Sequence, residues 1–376
     1  MFKTRIPHVS HTYRTHIAHI SHTYRTRMDI RTRDADGADG ADGADGADGV
    51  ELELELELEM RSLVSDLKRD GFAVRPDVLS AHECRDMADG MWEHAERVTC
   101  GRMSRTDNRT WKGELQNTFL PMHGMLHQHN HWGHSQVVWD IRGHKKVQEF
   151  HSYIYGGVDL TTSFDGVAFG LAPEVTGIGY HHKNWLHLDK GWGHTHATHA
   201  THPTRHNAIQ SWVTAYDVDE GDGTLQVLVG SHKFHTKFAT AFGHEKHKPN
   251  WWKLTDEEVN WYIEQGCQLY TVTCSAGSQV FWDSRTVHAG RAPLRHRQNA
   301  GRHRFVIYAC YAPRSWLTAA AKKKKKKALE EGRMTSHWPQ YPKLFPKTPR
   351  TYGKVLRETA PYSPPILTAR QQKLAF

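Results

Sequence analysis

His187 and Asp189 lie two residues apart in His181-His182-Lys183-Asn184-Trp185-Leu186-His187-Leu188-Asp189. On an extended strand such a pair projects from one face. An imidazole beside a carboxylate supplies two of the three donors of the 2-His-1-carboxylate set that holds non-haem Fe(II) with coordination positions left open. A third donor must come from elsewhere in the chain, and His288 in Trp282-Asp283-Ser284-Arg285-Thr286-Val287-His288-Ala289-Gly290 is the candidate. With 30 histidines in 376 residues, about one or two His-x-Asp triplets arise from composition alone. The pair therefore gains meaning only from the sequence around it.

Those three side chains need strands to carry them. From Leu160 onward, short period-2 stretches with glycine turns predict strands at Thr161–Phe169, Glu174–Tyr180, Trp185–Leu188, Gln210–Tyr216, Thr224–Leu228, Gln268–Val272, Gln279–Trp282 and Arg304–Cys310. Strands at this spacing predict a sandwich or barrel whose mouth holds a ligand. Upstream, Met60, Leu63, Val64 and Leu67 fall at helical spacing, with Asp70-Gly71 as the stop. Ser80 caps a second helix carrying Cys84, Met87 and Met91, and Val137 to Tyr155 has a third helical period. Residues 101–135 are polar and rich in His, Asn and Trp, which predicts loops over the site opening.

Composition bounds what surrounds this core. The mean hydropathy is -0.70, depressed by simple-sequence tracts. Residues 1–33 repeat Ser-His-Thr-Tyr-Arg-Thr and are poor in acid, a composition distantly similar to organelle import sequences but explained more simply by repeat expansion without a fold. Residues 35–49 iterate Ala-Asp-Gly, too polar to bury anything. Glu51–Glu59 alternates Glu with Leu, a strand period made of helix-forming residues, and is left unassigned. Residues 1–59 carry 7 basic and 12 acidic side chains; with a net charge of +8 for the chain, +13 remains on the rest. Such a body suits an anionic small molecule as well as it suits nucleic acid. Five cysteines without CxxC spacing argue against a disulfide framework or a cysteine zinc site and for an intracellular, cytoplasmic protein. Import through the basic N-terminus is the alternative. No apolar run is long enough to span a bilayer.

Two low-complexity stretches offer competing chemistry. His194, His196, His199 and His202 repeat with Thr and Ala, and neutral imidazoles bind zinc, but repeat slippage in a tolerant loop explains them more simply. Lys322–Lys327 reads either as a nucleic-acid or nuclear-address patch or as a solvated helix face. The core carries no recognisable nucleic-acid motif, which disfavours a nucleic-acid partner. Residues 316–376 form a C-terminal extension broken by Pro339, Pro342, Pro346 and Pro349, expected to wrap over the body.

The order His187, Asp189, Trp212, Asp219-Glu220, Gly223-Thr224-Leu225, Gly230-Ser231-His232, His288 and Arg304, preceded by Asp70-Gly71-Phe72 and Leu79-Ser80, resembles the phytanoyl-CoA dioxygenase family of Fe(II)- and 2-oxoglutarate-dependent oxygenases over residues 60–315. Val229, Asp222 and Ala289-Gly290 depart from its pattern without removing a candidate ligand. The resemblance implies a mainly β fold with flanking helices and a double-stranded β-helix (jelly-roll, cupin-like) core. It implies Fe(II) held by His187, Asp189 and His288, with 2-oxoglutarate and O2 as co-substrates. It implies hydroxylation of a small organic molecule with release of succinate and CO2. The distal carboxylate of 2-oxoglutarate needs a planar cation. Arg302 and Arg304 share a strand face, and Arg304 fits the family register better. Trp212 and Gln210 are expected to line the co-substrate pocket. His181, His182 and Lys183 are candidates for holding an anionic substrate, and Ser231 and His232 for fixing a turn. The alternatives are a non-catalytic binding protein of the same fold and, less favoured, a nucleic-acid-modifying oxygenase.

Overall fold

The computed structural model describes residues 45–180, 185–192, 208–351 and 353–376. The candidate substrate residues His181, His182 and Lys183 and the histidine repeat at 194–202 lie outside that set.

The first helix runs Asp45–Asp70, so the Glu-Leu tract continues the helix that begins the ordered sequence. Its register turns Met60, Leu63 and Leu67 inward while Leu54, Leu56 and Leu58 stay exposed. It ends at Gly71, which adopts φ +83, a left-handed conformation that glycine reaches at least cost. The second helix, Ala81–Val98, is closed by the expected Ser80 cap, with Glu83 reaching back to the Ser80 backbone.

The described residues form thirteen strands: β1 (Phe72–Arg75), β2 (Leu126–His127), β3 (Leu160–Thr162), β4 (Val167–Gly170), β5 (His187–Leu188), β6 (Ile209–Thr214), β7 (Thr224–Val229), β8 (Trp252–Lys253), β9 (Gln268–Thr271), β10 (Gln279–Asp283), β11 (His288–Arg291), β12 (Arg304–Tyr308) and β13 (Tyr311–Pro313). One sheet has the order β1-β10-β6-β12-β4-β2, a second β8-β5-β11-β7-β9, and β13 pairs with β3 apart from both. A layer of Phe72, Trp212, Val280, Trp282 and Val306 from the first sheet meets Leu225 and Val227 from the second. Helices cover the outer faces. Met87, Met91, Val147 and Phe150 bury Ile209, Val213 and Phe281 behind the six-stranded sheet. Phe238 and Tyr262, on helices His235–Phe242 and Asp256–Glu264, bury Leu188, Leu228 and Ala289 behind the five-stranded one.

The expectation of a mainly β, double-stranded β-helix core is overturned. Of the described residues 38% are helix against 19% strand, so helix is the dominant element. The two large sheets are open, and no strand hydrogen-bonds from one into the other. The strand signals were real but short, between two and six residues each. Glu174–Tyr180, predicted as a strand, begins in the short helix Pro173–Thr176 and turns at Gly177. The helices at 235–242 and 256–264, the second closed by a Thr255/Glu258 capping box, had no counterpart in the period-2 reading. Val137 to Tyr155 forms two helices, Gln136–Gly143 and Lys145–Ile154, parted at the extended His144.

The lysine run lies on helix Ala319–Glu330, and five of its lysines are exposed. Lys325 instead is buried, donating to Thr161 Oγ1 (2.5 Å) and to the Thr162 carbonyl (2.7 Å). Beyond it the chain wraps as expected: the Arg357 N–H donates to Asn117 O, the Ala360 N–H to Val98 O and the Gln371 side chain to Trp139 O. All five cysteines are unpaired. Among the described residues no helix is long and apolar enough to cross a membrane.

Candidate metal centre

β5 and β11 are antiparallel neighbours, with His187 directly opposite His288. Opposed residues point to the same face, so both imidazoles enter the space between the sheets. Their rings lie 4.3 Å apart by centroid. Asp189, one residue beyond β5, is held by its N–H to the Ser284 carbonyl, 3.0 Å. One donor atom from each of the three residues falls within 4.8 Å of the others, and all three residues are buried.

Both rings are oriented by the main chain. His187 Nδ1 donates to the Trp185 carbonyl at 2.9 Å and His288 Nδ1 to the Thr286 carbonyl at 2.8 Å. Each proton is thereby fixed on Nδ1, and each Nε2 lone pair faces inward. His288 Nε2 is 3.3 Å and His187 Nε2 3.6 Å from Asp189 Oδ2. Burial first, then neighbouring His187, pushes the His288 imidazole below its ordinary pKa, keeping it neutral and ready to donate its lone pair. Burial alone would push the Asp189 carboxyl up. The imidazoles of His337, His187 and His288 outweigh it and hold the group well below the usual carboxylate range. Two nitrogen donors and a carboxylate, the three such groups brought together among the described residues, form a donor set that fits Fe(II) and leaves positions for other ligands.

The loop before β11 is braced from several sides. Ser231 Oγ accepts the Val287 N–H (2.9 Å), and Thr286 Oγ1 donates to the Gly71 carbonyl (2.8 Å). Gly230 adopts φ +77 and donates to the Asp70 carbonyl. His232 Nε2 lies 3.1 Å from the Lys68 carbonyl. The Gly-Ser-His segment therefore ties the first helix to the turn that carries His288, and His232 stays away from the donor set. From the polar 101–135 stretch, His123 stacks on Trp185 at 4.1 Å, and Trp185 stacks on His187 at 4.7 Å.

The residues expected around a co-substrate fall in different places. Gln210, on β6, donates its amide to Asp189 Oδ2 at 2.9 Å, so it touches the carboxylate itself. Trp212 is buried in the layer between the sheets, and its indole nitrogen has no acceptor. Arg304 opens β12 opposite Gly170 and places a guanidinium nitrogen 2.8 Å from Met125 Sδ. It lines a small cavity with Gly223, Arg297 and Arg302. Arg302 is engaged by Asp219 (2.6 Å) and Asp222 (3.1 Å), and Arg297 by Glu174 (2.9 Å) and Asp222 (2.8 Å). Among the described residues Arg304 has no carboxylate partner, which leaves it as the cation able to take one from a ligand.

Two neighbours were not singled out from sequence. His337 Nε2, from the C-terminal extension, lies 3.7 Å from Asp189 Oδ2, and Lys190 follows Asp189 and is buried. Nothing in a histidine-rich chain distinguishes His337; only the path of the extension brings it in.

Comparison with known proteins agrees with this arrangement. The family described as Phytanoyl-CoA dioxygenase (PhyH) matches residues 67–294. Ava biosynthesis cluster protein O of Aspergillus versicolor is 23% identical over 288 residues, covering 73% of this chain and 84% of that protein. A putative oxidoreductase from Salmonella typhimurium LT2 superposes with a TM-score of 0.52 at 13% identity, covering 85% of this chain and 84% of its own. EctD from S. alaskensis, solved with 2-oxoglutarate and 5-hydroxyectoine, gives 0.42 at 12% identity, covering 80% and 84%.

Proposed function

The chain belongs to the phytanoyl-CoA dioxygenase family, and from that premise we propose that its chemistry runs at His187, Asp189 and His288. The protein is an oxygenase dependent on Fe(II) and 2-oxoglutarate that hydroxylates a small organic substrate, releasing succinate and CO2. In the proposed site Nε2 of His187, Nε2 of His288 and Oδ2 of Asp189 are the three protein ligands. Bound there with 2-oxoglutarate, ferrous iron supplies the activation of O2 that delivers one oxygen atom to a C–H bond.

The chain's own part is to orient and to exclude water. The Trp185 and Thr286 carbonyls keep the two imidazoles in the ligating tautomer. Gln210 fixes the carboxylate oxygen. We assign Arg304 to the distal carboxylate of 2-oxoglutarate, because Arg297 and Arg302 beside it are already neutralised by Glu174, Asp219 and Asp222. The orphaned Trp212 indole N–H offers a further donor along the same space. The designation of the Aspergillus relative as a biosynthesis cluster protein supports a biosynthetic small molecule as substrate.

One observation carries the reading: two main-chain carbonyls take the Nδ1 protons and so aim two lone pairs and one carboxylate at a single point. The test is succinate formation from 2-oxoglutarate by the full chain with and without Fe(II). Iron-dependent turnover that disappears in His187→Ala and in Asp189→Ala supports it. Turnover that survives either substitution, or succinate formation without iron, overturns it.

A further inference from the structure

Among the described residues, three buried nitrogen atoms on and next to Asp189's neighbours make no hydrogen bond. They are Nε2 of His337, the indole nitrogen of Trp338 and Nζ of Lys190. Lys190 and Trp338 are only 5% and 4% exposed, so water does not satisfy them from bulk. Buried polar groups left without partners are rare and costly, and a cluster of them calls for an explanation. The ammonium of Lys190 sits over the Trp338 ring, 5.7 Å from its centre, and the ring face satisfies one side of it. Its remaining N–H donors are left over. The His337 and Trp338 rings are 5.7 Å apart, and His337 Nε2 is 3.7 Å from Asp189 Oδ2. The cluster thus adjoins the donor set through His337, and none of its residues lines Arg304's cavity.

The segment that brings His337 and Trp338 here is held in place. The Thr335 N–H donates to the Phe164 carbonyl (2.8 Å), and Thr335 Oγ1 accepts the Phe164 N–H (3.1 Å). The Ser336 N–H donates to Lys343 O, and the Arg333 guanidinium to Phe345 O at 3.0 and 2.8 Å. This segment lies beyond residues 67–294, the span that matches the family. So the metal donors come from the shared part of the chain, and these orphaned donors come partly from outside it.

We propose that Lys190, His337 and Trp338 form a subsite for a carboxylate of the substrate, set against the metal centre and selective for this chain's own substrate. Resting on the oxygenase reading above, it adds a substrate class: an organic acid whose carboxylate docks here while its apolar body reaches toward the metal. A carboxylate offers acceptor lone pairs to more than one donor at once. Placed here it would give these donors the acceptor that they lack among the described residues.

The test uses the full-length protein and benzoate as probe, with benzamide as its neutral counterpart. Both are titrated against chain loaded with Mn(II) and 2-oxoglutarate and against unloaded chain, by calorimetry. Benzoate is expected to bind the loaded protein at least tenfold more tightly than benzamide. Lys190→Met and His337→Ala should each weaken benzoate about tenfold, as loss of a charge-assisted hydrogen bond would, and His337→Asn should recover part of the loss. Neither variant should lower the melting temperature of the unliganded protein by more than about a degree or two, because neither nitrogen makes a hydrogen bond there. Equal affinity for the two probes overturns the proposal, and so does wild-type benzoate affinity in Lys190→Met and His337→Ala, or displacement of 2-oxoglutarate by benzoate. Failure of the oxygenase reading has a separate signature: no Mn(II) uptake by the wild type, with benzoate binding to the unloaded chain still reporting on the subsite.

Discussion

Replacing Gln210 is the sharpest probe of how this centre is assembled. Among the described residues its amide is the one donor within 3.0 Å of Asp189 Oδ2; the imidazole nitrogens stand at 3.3, 3.6 and 3.7 Å. A hydrogen bond to a charged acceptor contributes about 1.5–3 kcal/mol. Gln210→Ala removes it and frees the carboxylate to rotate, so ordering it again falls on the metal. With tenfold per 1.4 kcal/mol, the expected loss in Mn(II) or Fe(II) affinity is about 10- to 100-fold, the range typical of groups that orient a ligand. Gln210→Glu sets a second carboxylate against Asp189 in place of a donor. It should raise the Asp189 pKa, because two like charges cannot both ionise at that distance. Metal affinity in this variant should therefore fall more steeply as pH is lowered than in wild type. The assay is a metal titration at several pH values, with the melting temperature of metal-free protein as control for the buried cavity. A metal Kd for Gln210→Ala within twofold of wild type would refute the idea that Gln210 positions the ligand.

Three further outcomes follow from the same geometry. Gly71→Ala should destabilise the fold by about 3 kcal/mol or more, since a Cβ there meets Thr286 Oγ1 at 2.4 Å and His232 Nδ1 at 2.5 Å with φ at +83; denaturant titration measures it, and reduced metal affinity should accompany it because Thr286 carries the turn before His288. Arg142→Met should cost about 3–5 kcal/mol in the same assay, because the wholly buried guanidinium donates to the carbonyls of Tyr308, Gly133 and Asp165 and all three would be orphaned. Burial pushes His94, His134 and His151 down to about 3 and His127 and His235 down to about 4. The unfolded chain, with histidines near 6.5, binds more protons below that pH. Stability is then fully present above about pH 6.5 and declines as pH falls toward 4, by up to about 1.4 kcal/mol per histidine per unit; a flat denaturation midpoint between pH 7 and 5 would contradict it.

Local spacing placed part of the donor set. His187 and Asp189 face one way because strand side chains alternate, and that holds wherever the strand sits. Ser80 capped its helix and Asp70-Gly71 ended the one before it, since capping and left-handed glycine act over a few residues. The order of motifs from Asp70 to Arg304 was enough to recognise the family and with it iron and 2-oxoglutarate. What sequence could not decide was non-local. Whether sheets close depends on pairing between strands far apart in the chain, and here two open sheets under many helices replaced the expected barrel. The proposal of Arg304 over Arg302 rests on a contact the sequence does not show, the pairing of Arg302 with Asp219 and Asp222. Gln210, read as lining a pocket, met the Asp189 carboxylate across two sheets. His337 reached the same carboxylate from 148 residues downstream, brought by an extension with no periodicity to read. Local rules of geometry act over three or four residues, whereas burial, charge pairing and the meeting of distant side chains exist only once the chain has folded.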